Sequence, residues 1–340
     1  MWGWKVSVSG YRRPRSSDAA IAFAIAAAAL AVPADEARAA DVYEMRLPTK
    51  VTSVRQTVNG SFAVFGEEAF RLDPCPTPEG LCLSSAPFSE TSVNAPRNAL
   101  PGGQIDIADA GDIRNAWYGR PTERYAHGAL GDDVEGGSLI VVTSQGKKLE
   151  FVLPETQVFE DITPRITDLD GDGNNEVVTI RSSQSGGAAV VIYGLEENEL
   201  VERAAGSENG APNRWLNIAG IIRSADGTAT VYGVRTPHIG GRLFSITYQD
   251  GALNEVNNIA TDFSNHVLGS TELGLSAVMD FDGDGIAELV LPSQDRTRLR
   301  FPLSDRLDIA LPAPVDKAII ATEGRIVTAT EDGALLIIVP

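Results

Sequence analysis

Apolar residues in this chain come in short runs separated by polar turns. Val177–Ile180, Ala188–Tyr193, Leu243–Tyr248 and Leu289–Leu291 are examples. Glu196-Glu197-Asn198 follows the second run and Gln249-Asp250-Gly251 the third. Runs this short, bounded by turn-forming residues, predict β-strands. Ser138–Val142, Ala318–Ala321 and Arg325–Thr328 extend the pattern, and Ser61–Phe65 reads as a hairpin strand. No helical period of useful length appears beyond residue 40, so the fold class expected is all-β.

The first forty residues break the pattern. Lys5, Arg12, Arg13 and Arg15 precede an unbroken small-apolar run, Ala19 to Val32. That run is too short for a membrane span, which needs about 20 residues, and it fits the apolar region of a secretory signal. Ala37-Arg38-Ala39 supplies small residues where a signal peptidase reads them. Residues 1–39 are therefore read as a signal peptide cleaved near Ala39, and 40–340 as a single domain. The expected location is periplasmic or secreted, with no transmembrane segment after cleavage.

Two nine-residue stretches carry the clearest chemistry. One runs Asp168-Leu-Asp170-Gly-Asp172-Gly-Asn174-Asn-Glu176, the other Asp280-Phe-Asp282-Gly-Asp284-Gly-Ile286-Ala-Glu288. Both read D-x-D-G-D-G-x-x-E. Calcium takes six to eight hard oxygen ligands, and carboxylates at positions 1, 3, 5 and 9 offer four of them. The peptide carbonyl of position 7, Asn174 or Ile286, needs no particular side chain. Without a cation the carboxylates repel: two charges about 5 Å apart cost roughly 3 kcal/mol at an effective dielectric near 20. The absence of nearby Cys or His disfavours zinc. An EF-hand needs a carboxylate at position 12, where this chain has Thr179 and Leu291. Each loop is followed by a β-type run, which places it between two strands.

This motif, followed by a β-run, resembles the calcium loop of FG-GAP/VCBS repeats, the blades of integrin-α-like β-propellers. The resemblance implies ligands at Asp168, Asp170, Asp172, the Asn174 carbonyl and Glu176. It implies the same of Asp280, Asp282, Asp284, the Ile286 carbonyl and Glu288. The stretches 214–217, 236–241, 263–266 and 272–277 also resemble exported bacterial proteins of this type. It implies a fold and two calcium ions but no reaction.

Degenerate units fill the gaps between the loops, which start too far apart to lie in adjacent blades of about 40–60 residues. Ile221–Tyr232 has the strand-turn-strand shape with the carboxylates lost. Leu130-Gly-Asp-Asp before Ser138–Val142, and Ala318–Thr328, repeat the shape. The repeats are clearest over 160–300. The architecture expected is a β-propeller of about six to seven blades, with Ile326–Val339 meeting the N-terminal segment to close the ring. An open array of β-sandwiches is the rival.

Charge narrows the function. Lys and Arg number 28 against 46 Asp and Glu, a net charge of −18. Nucleic acid is a poor partner for such a surface. The two cysteines, Cys75 and Cys82, sit in a segment bent by Pro74, Pro76, Pro78 and Gly80. In an oxidising compartment a local disulfide is expected, with two buried thiols as the alternative.

The three histidines are His127, His238 and His266. With Arg120, Tyr125, Arg214 and Trp215 they form a candidate ligand rim for an anionic or sugar-like molecule, which Trp117 could widen. The bland reading is that each holds a loop. No nucleophile elbow, phosphate-cradling loop or dinucleotide fingerprint is present. The function expected is an exported calcium-binding module with an unknown protein or glycan ligand, and not an enzyme. Alternatives are a propeller hydrolase or lyase acting on glycans through the rim, and an adhesin meeting its partner through divalent ions.

Overall fold

The computed structural model describes residues 40–47, 49–57, 59–86 and 96–340. The proposed signal peptide, 1–39, lies outside them. Among the described residues every regular element is a β-strand, and all strand pairs are antiparallel.

The described residues form five sheets. One joins Val51–Thr57, Gly60–Phe65, Glu68–Pro74 and Leu81–Ser85 in chain order. Leu216–Arg223, Ala229–Arg235, Gly241–Gln249 and Ala252–Phe263 form a second, and Ala277–Met279, Glu288–Pro292, Arg298–Arg300 and Ile309–Ala310 a third. A fourth takes Ile320–Thr322, Arg325–Ala329 and Leu335–Val339 from the end of the chain and completes itself with Asp41–Met45 from the start.

The fifth sheet has nine strands and runs from Asp106–Ile107 to Glu199–Ala205. Its halves meet at one residue pair, Phe159 with Gly136. It therefore divides into two groups of the same kind as the other sheets.

Burial explains the short apolar runs. Interior strands such as Glu176–Ser183 and Gly187–Glu196 are buried on both faces for most of their length, so they need no alternation. Outer strands such as Lys148–Val152 alternate between half-buried and exposed. Hairpins turn on paired left-handed residues, Glu197 (φ 49°) with Asn198 (φ 66°), and Asp250 (φ 51°) with Gly251 (φ 74°). Such pairs match the twist of two antiparallel strands.

One expectation needs correcting. Leu130–Asp133 does form a turn before the Glu135–Thr143 strand, but it joins the second strand of its group to the third and so is not the counterpart of the acidic loops. The turn that joins a first strand to a second in that group is 108–112, between Asp106–Ile107 and Ile113–Thr122. Its first strand is two residues long, too short to show as an apolar run.

Cys75 and Cys82 form a disulfide with Cα atoms 5.7 Å apart. The turn they close docks on the last sheet, where Arg325 Nε donates to the Glu79 carbonyl at 2.7 Å. Gly80 (φ 71°) lies against that guanidinium, and a Cβ there would sit 2.0 Å from Arg325 Nη2. Only glycine satisfies both the backbone and the contact.

A cavity of about 420 Å³ receives residues from all six strand groups: Val54, Gln104, Arg165, Ile218, Ser276 and Ile320. Each lies in, or just before, an edge strand of its group. Arg55, also in the wall, pairs with Glu272 at 2.5 Å.

Candidate functional site: two acidic loops and a histidine cluster

Each acidic loop connects an edge strand of its group to the interior strand that follows it. The first runs from Arg165–Thr167 to Glu176–Ser183, the second from Ala277–Met279 to Glu288–Pro292. Their hydrogen bonds from backbone N–H groups to carboxylates match one for one. In the first, Asp168 accepts from Gly171 N at 2.8 Å and Gly173 N at 3.0 Å, and Glu176 accepts from Leu169 N at 2.9 Å. In the second, Asp280 accepts from Gly283 N at 2.7 Å and Gly285 N at 2.9 Å, and Glu288 from Phe281 N at 2.7 Å. Gly171, Gly173, Gly283 and Gly285 all have φ between 79° and 89°, which lets the backbone curl round its own carboxylates.

The curl gathers oxygen atoms. One oxygen each from Asp168, Asp170 and Glu176 lies within 4.8 Å of the others, and the same holds for Asp280, Asp282 and Glu288. These two triads could hold metal ions. Asp172 and Asp284 fall outside the triads, each accepting from the peptide N–H two residues on, Asn174 N and Ile286 N, both at 2.7 Å. Burial, together with Asp170, Asp172 and Asp168, pushes the Glu176 carboxyl up to about 7.

Outside the loops the match ends. The first loop is bonded to groups on both sides. Asn175 Nδ2 donates to the carbonyls of Ala110 at 2.7 Å and Ile113 at 2.9 Å, and Asn175 N donates to Asp112 at 2.7 Å. On the other flank Arg223 donates to the Asp168 carbonyl at 2.9 Å, and Ala229 N to the Leu169 carbonyl at 2.8 Å. The second loop has Ala287 where the first has Asn175. Its carboxylates instead meet Arg306, whose Nη2 lies 2.6 Å from Asp282 and whose Nε lies 3.2 Å from Glu288. Among the described residues no Lys or Arg forms an ion pair with the first loop's carboxylates.

The three histidines come from separate connections, and two of them, His238 and His266, pack on Trp215. Its ring stacks on His238 (centroids 5.9 Å apart, 11° between planes) and meets His266 edge-on at 4.6 Å. His266 Nε2 lies 2.8 Å from the Ser270 carbonyl, so that nitrogen carries the proton. His266 Nδ1 then accepts from His238 Nε2 at 2.8 Å, which leaves His238 Nδ1 without a proton. Burial holds both rings neutral, their pKa values lowered to about 4.

His127 stands beside this pair and presents Nδ1 to Glu160, a fully buried carboxylate that also accepts from Ser182 Oγ. Trp215 Nε1 links the two halves by donating to the Glu160 carbonyl at 2.9 Å. Tyr125 completes the group, edge-on to His127 at 6.2 Å, with its hydroxyl accepting from Asn213 N at 2.9 Å.

The other rim candidates lie elsewhere. Arg120 forms a two-pronged pair with Glu150 at 2.8 and 3.2 Å, its side chain 57% exposed. Arg214 is exposed, its carbonyl accepting from Ala188 N and its own N–H donating to the Ala211 carbonyl. Trp117 lies under Lys148, 5.3 Å from the ring centre. Glu160, Ser182 and Arg306 escaped the sequence reading. The Glu160-Asp161 pair inside an apolar stretch was a usable signal, because buried charges need partners. Arg306 sits in an ordinary polar loop and gave none.

No protein-family model and no curated protein matches the sequence. Among solved structures, BamB from Moraxella catarrhalis aligns over 88% of this chain and 98% of its own, at 12% identity and a TM-score of 0.26. A score that low does not establish a shared fold.

Proposed function

We propose that this chain is an exported, calcium-stabilised β-propeller that serves as a binding or structural module. The nine-stranded sheet divides at one residue pair into a group of four strands and a group of five, in which Gln157–Phe159 and Arg165–Thr167 share one edge of Glu176–Ser183; with the other four sheets this gives six groups for six blades. The pairing of Asp41–Met45 with Leu335–Val339 supports closure of a ring, and the six-sided cavity fits its axis. The Cys75–Cys82 disulfide supports an oxidising compartment.

The observation that carries the metal reading is the duplicated oxygen triad. The donors are all hard oxygens, the class calcium prefers, and at the second triad a guanidinium already stands where a cation would be welcome. Asp168, Asp170 and Glu176, with Asp280, Asp282 and Glu288, would hold the ions. Bound calcium supplies charge and a fixed focus for the loop, not chemistry. The test is thermal unfolding with calcium or chelator. At ten times its Kd an ion stabilises by about 1.4 kcal/mol per site, and identical melting curves would overturn the reading.

A second reading follows from the histidine cluster. A buried carboxylate that fixes His127 with Nε2 turned away from it is the base-and-orienter half of an acid–base site. A panel of chromogenic glycosides and uronates tests it. Turnover that His127→Asn abolishes without a change in melting would favour the enzyme.

A further inference from the structure

The two loops share one motif, and only one carries its own cation. Arg306 lies in the connection from Arg298–Arg300 to Ile309–Ala310, part of the same sheet as the second triad. Its guanidinium reaches two of the three triad residues, Asp282 at 2.6 Å and Glu288 at 3.2 Å. The side chain is 15% exposed, and its guanidinium carbon lies 4.9 Å from the Phe281 ring centre and 5.4 Å from that of Phe301. Those rings stack on each other at 5.7 Å. A cation placed this way is built in. It draws on the same oxygens an incoming ion needs, and its charge repels that ion through a partly desolvated environment, where the repulsion is strong.

We propose that Arg306 is a tethered competitor for the divalent cation at the second loop, so that the chain has one strong site at Asp168–Glu176 and one weak site at Asp280–Glu288 that fills by exchange with Arg306. This rests on the metal reading of the loops and adds a direction to it. Exchange frees Arg306 from both carboxylates and loosens the connection that carries it. Two apolar side chains flank Arg306 there, Leu307 (71% exposed) and Leu303 (37% exposed). The second site thus couples ion concentration to the mobility of one surface loop, while the first stays filled.

Calorimetric titration of calcium into the full chain reads both sites. The wild type should bind in two unequal steps, and Asp170→Asn should remove the tighter one. Arg306→Met keeps an apolar side chain against the phenyl rings and should tighten the weaker step about tenfold or more. Arg306→Lys, which keeps the charge but not the planar fork, should shift it less and guards against a packing effect of Met. In the wild type, amide exchange over residues 302–308 should quicken as the weak step fills. Two equal steps with Arg306→Met shifting neither would overturn the inference and leave the metal reading standing. No binding in any variant would overturn both.

Discussion

The acidic loops at 168–176 and 280–288 are twins inside and strangers outside. Their hydrogen bonds from backbone N–H groups to carboxylates correspond position by position. Their surroundings do not: the first is bonded into the turn before it and the turn after it, while the second is met by Arg306 from its own sheet. The motif dictates how the chain curls. The neighbours dictate what the curl holds together and how much charge is left uncompensated.

The largest test of this contrast is Asn175→Ala, which gives the first loop the residue of the second. It removes the hydrogen bonds to the Ala110 and Ile113 carbonyls and leaves the buried Ile113 carbonyl without the Asn175 donor, and an unsatisfied buried group costs about 1–3 kcal/mol. A loss of about 3 kcal/mol in denaturant unfolding is expected. A loss under about 0.5 kcal/mol would mean that the inter-group bonds contribute little.

Acid provides an internal control, since none of the histidine contacts involves a loop residue. His238 and His266 are held neutral, with pKa values lowered to about 4 from the usual 6.5. The unfolded chain therefore takes up protons that the folded chain refuses, and stability falls as pH drops from 6.5 towards 4. Because His238 is partly open to water, the combined effect should be about 2–3 kcal/mol. His238→Gln should flatten this limb, and calcium should leave its position unchanged.

Glu135 tests burial of charge with the opposite sign. It is buried, one carboxyl oxygen lacks a partner, and burial followed by Glu160 raises its pKa to about 9. A raised carboxyl favours the folded state at low pH and costs stability as pH climbs from 4.5 through 9. Glu135→Gln should therefore stabilise by about 2 kcal/mol at pH 8 and leave stability at pH 4 nearly unchanged. Equal effects at both values would show that the side chain escapes to water.

The smallest effect returns to the twins. Calcium at ten times the Kd of the first site should add about 1.4 kcal/mol. Asp170→Asn should abolish this gain and Asp282→Asn should leave most of it. Equal losses in the two variants would erase the distinction between the loops.

Several parts of the architecture were legible in the residues. The D-x-D-G-D-G-x-x-E spacing placed both loops between strands, because Gly at alternate positions and a β-run afterwards leave little else. The cysteine pair was legible for the same local reason. What escaped was non-local. Asn175 stands at a position the motif leaves free, and its role exists only because Asp109–Asp112 lies beside it. Arg120 and Trp215 looked equally suited to a rim, yet the fold gives one to Glu150 and packs the other against two histidines. The turn at 108–112 was hidden by a first strand two residues long.

The sheet that joins Asp41–Met45 to Leu335–Val339 sets a timetable. A chain made from its N-terminus has this strand early but must wait for nearly its whole length before the partner exists. Every other group can pair from neighbours in sequence, whereas this one closes a loop as long as the domain and bears the entropy of that closure last. Until then Asp41–Met45 is an unpaired edge.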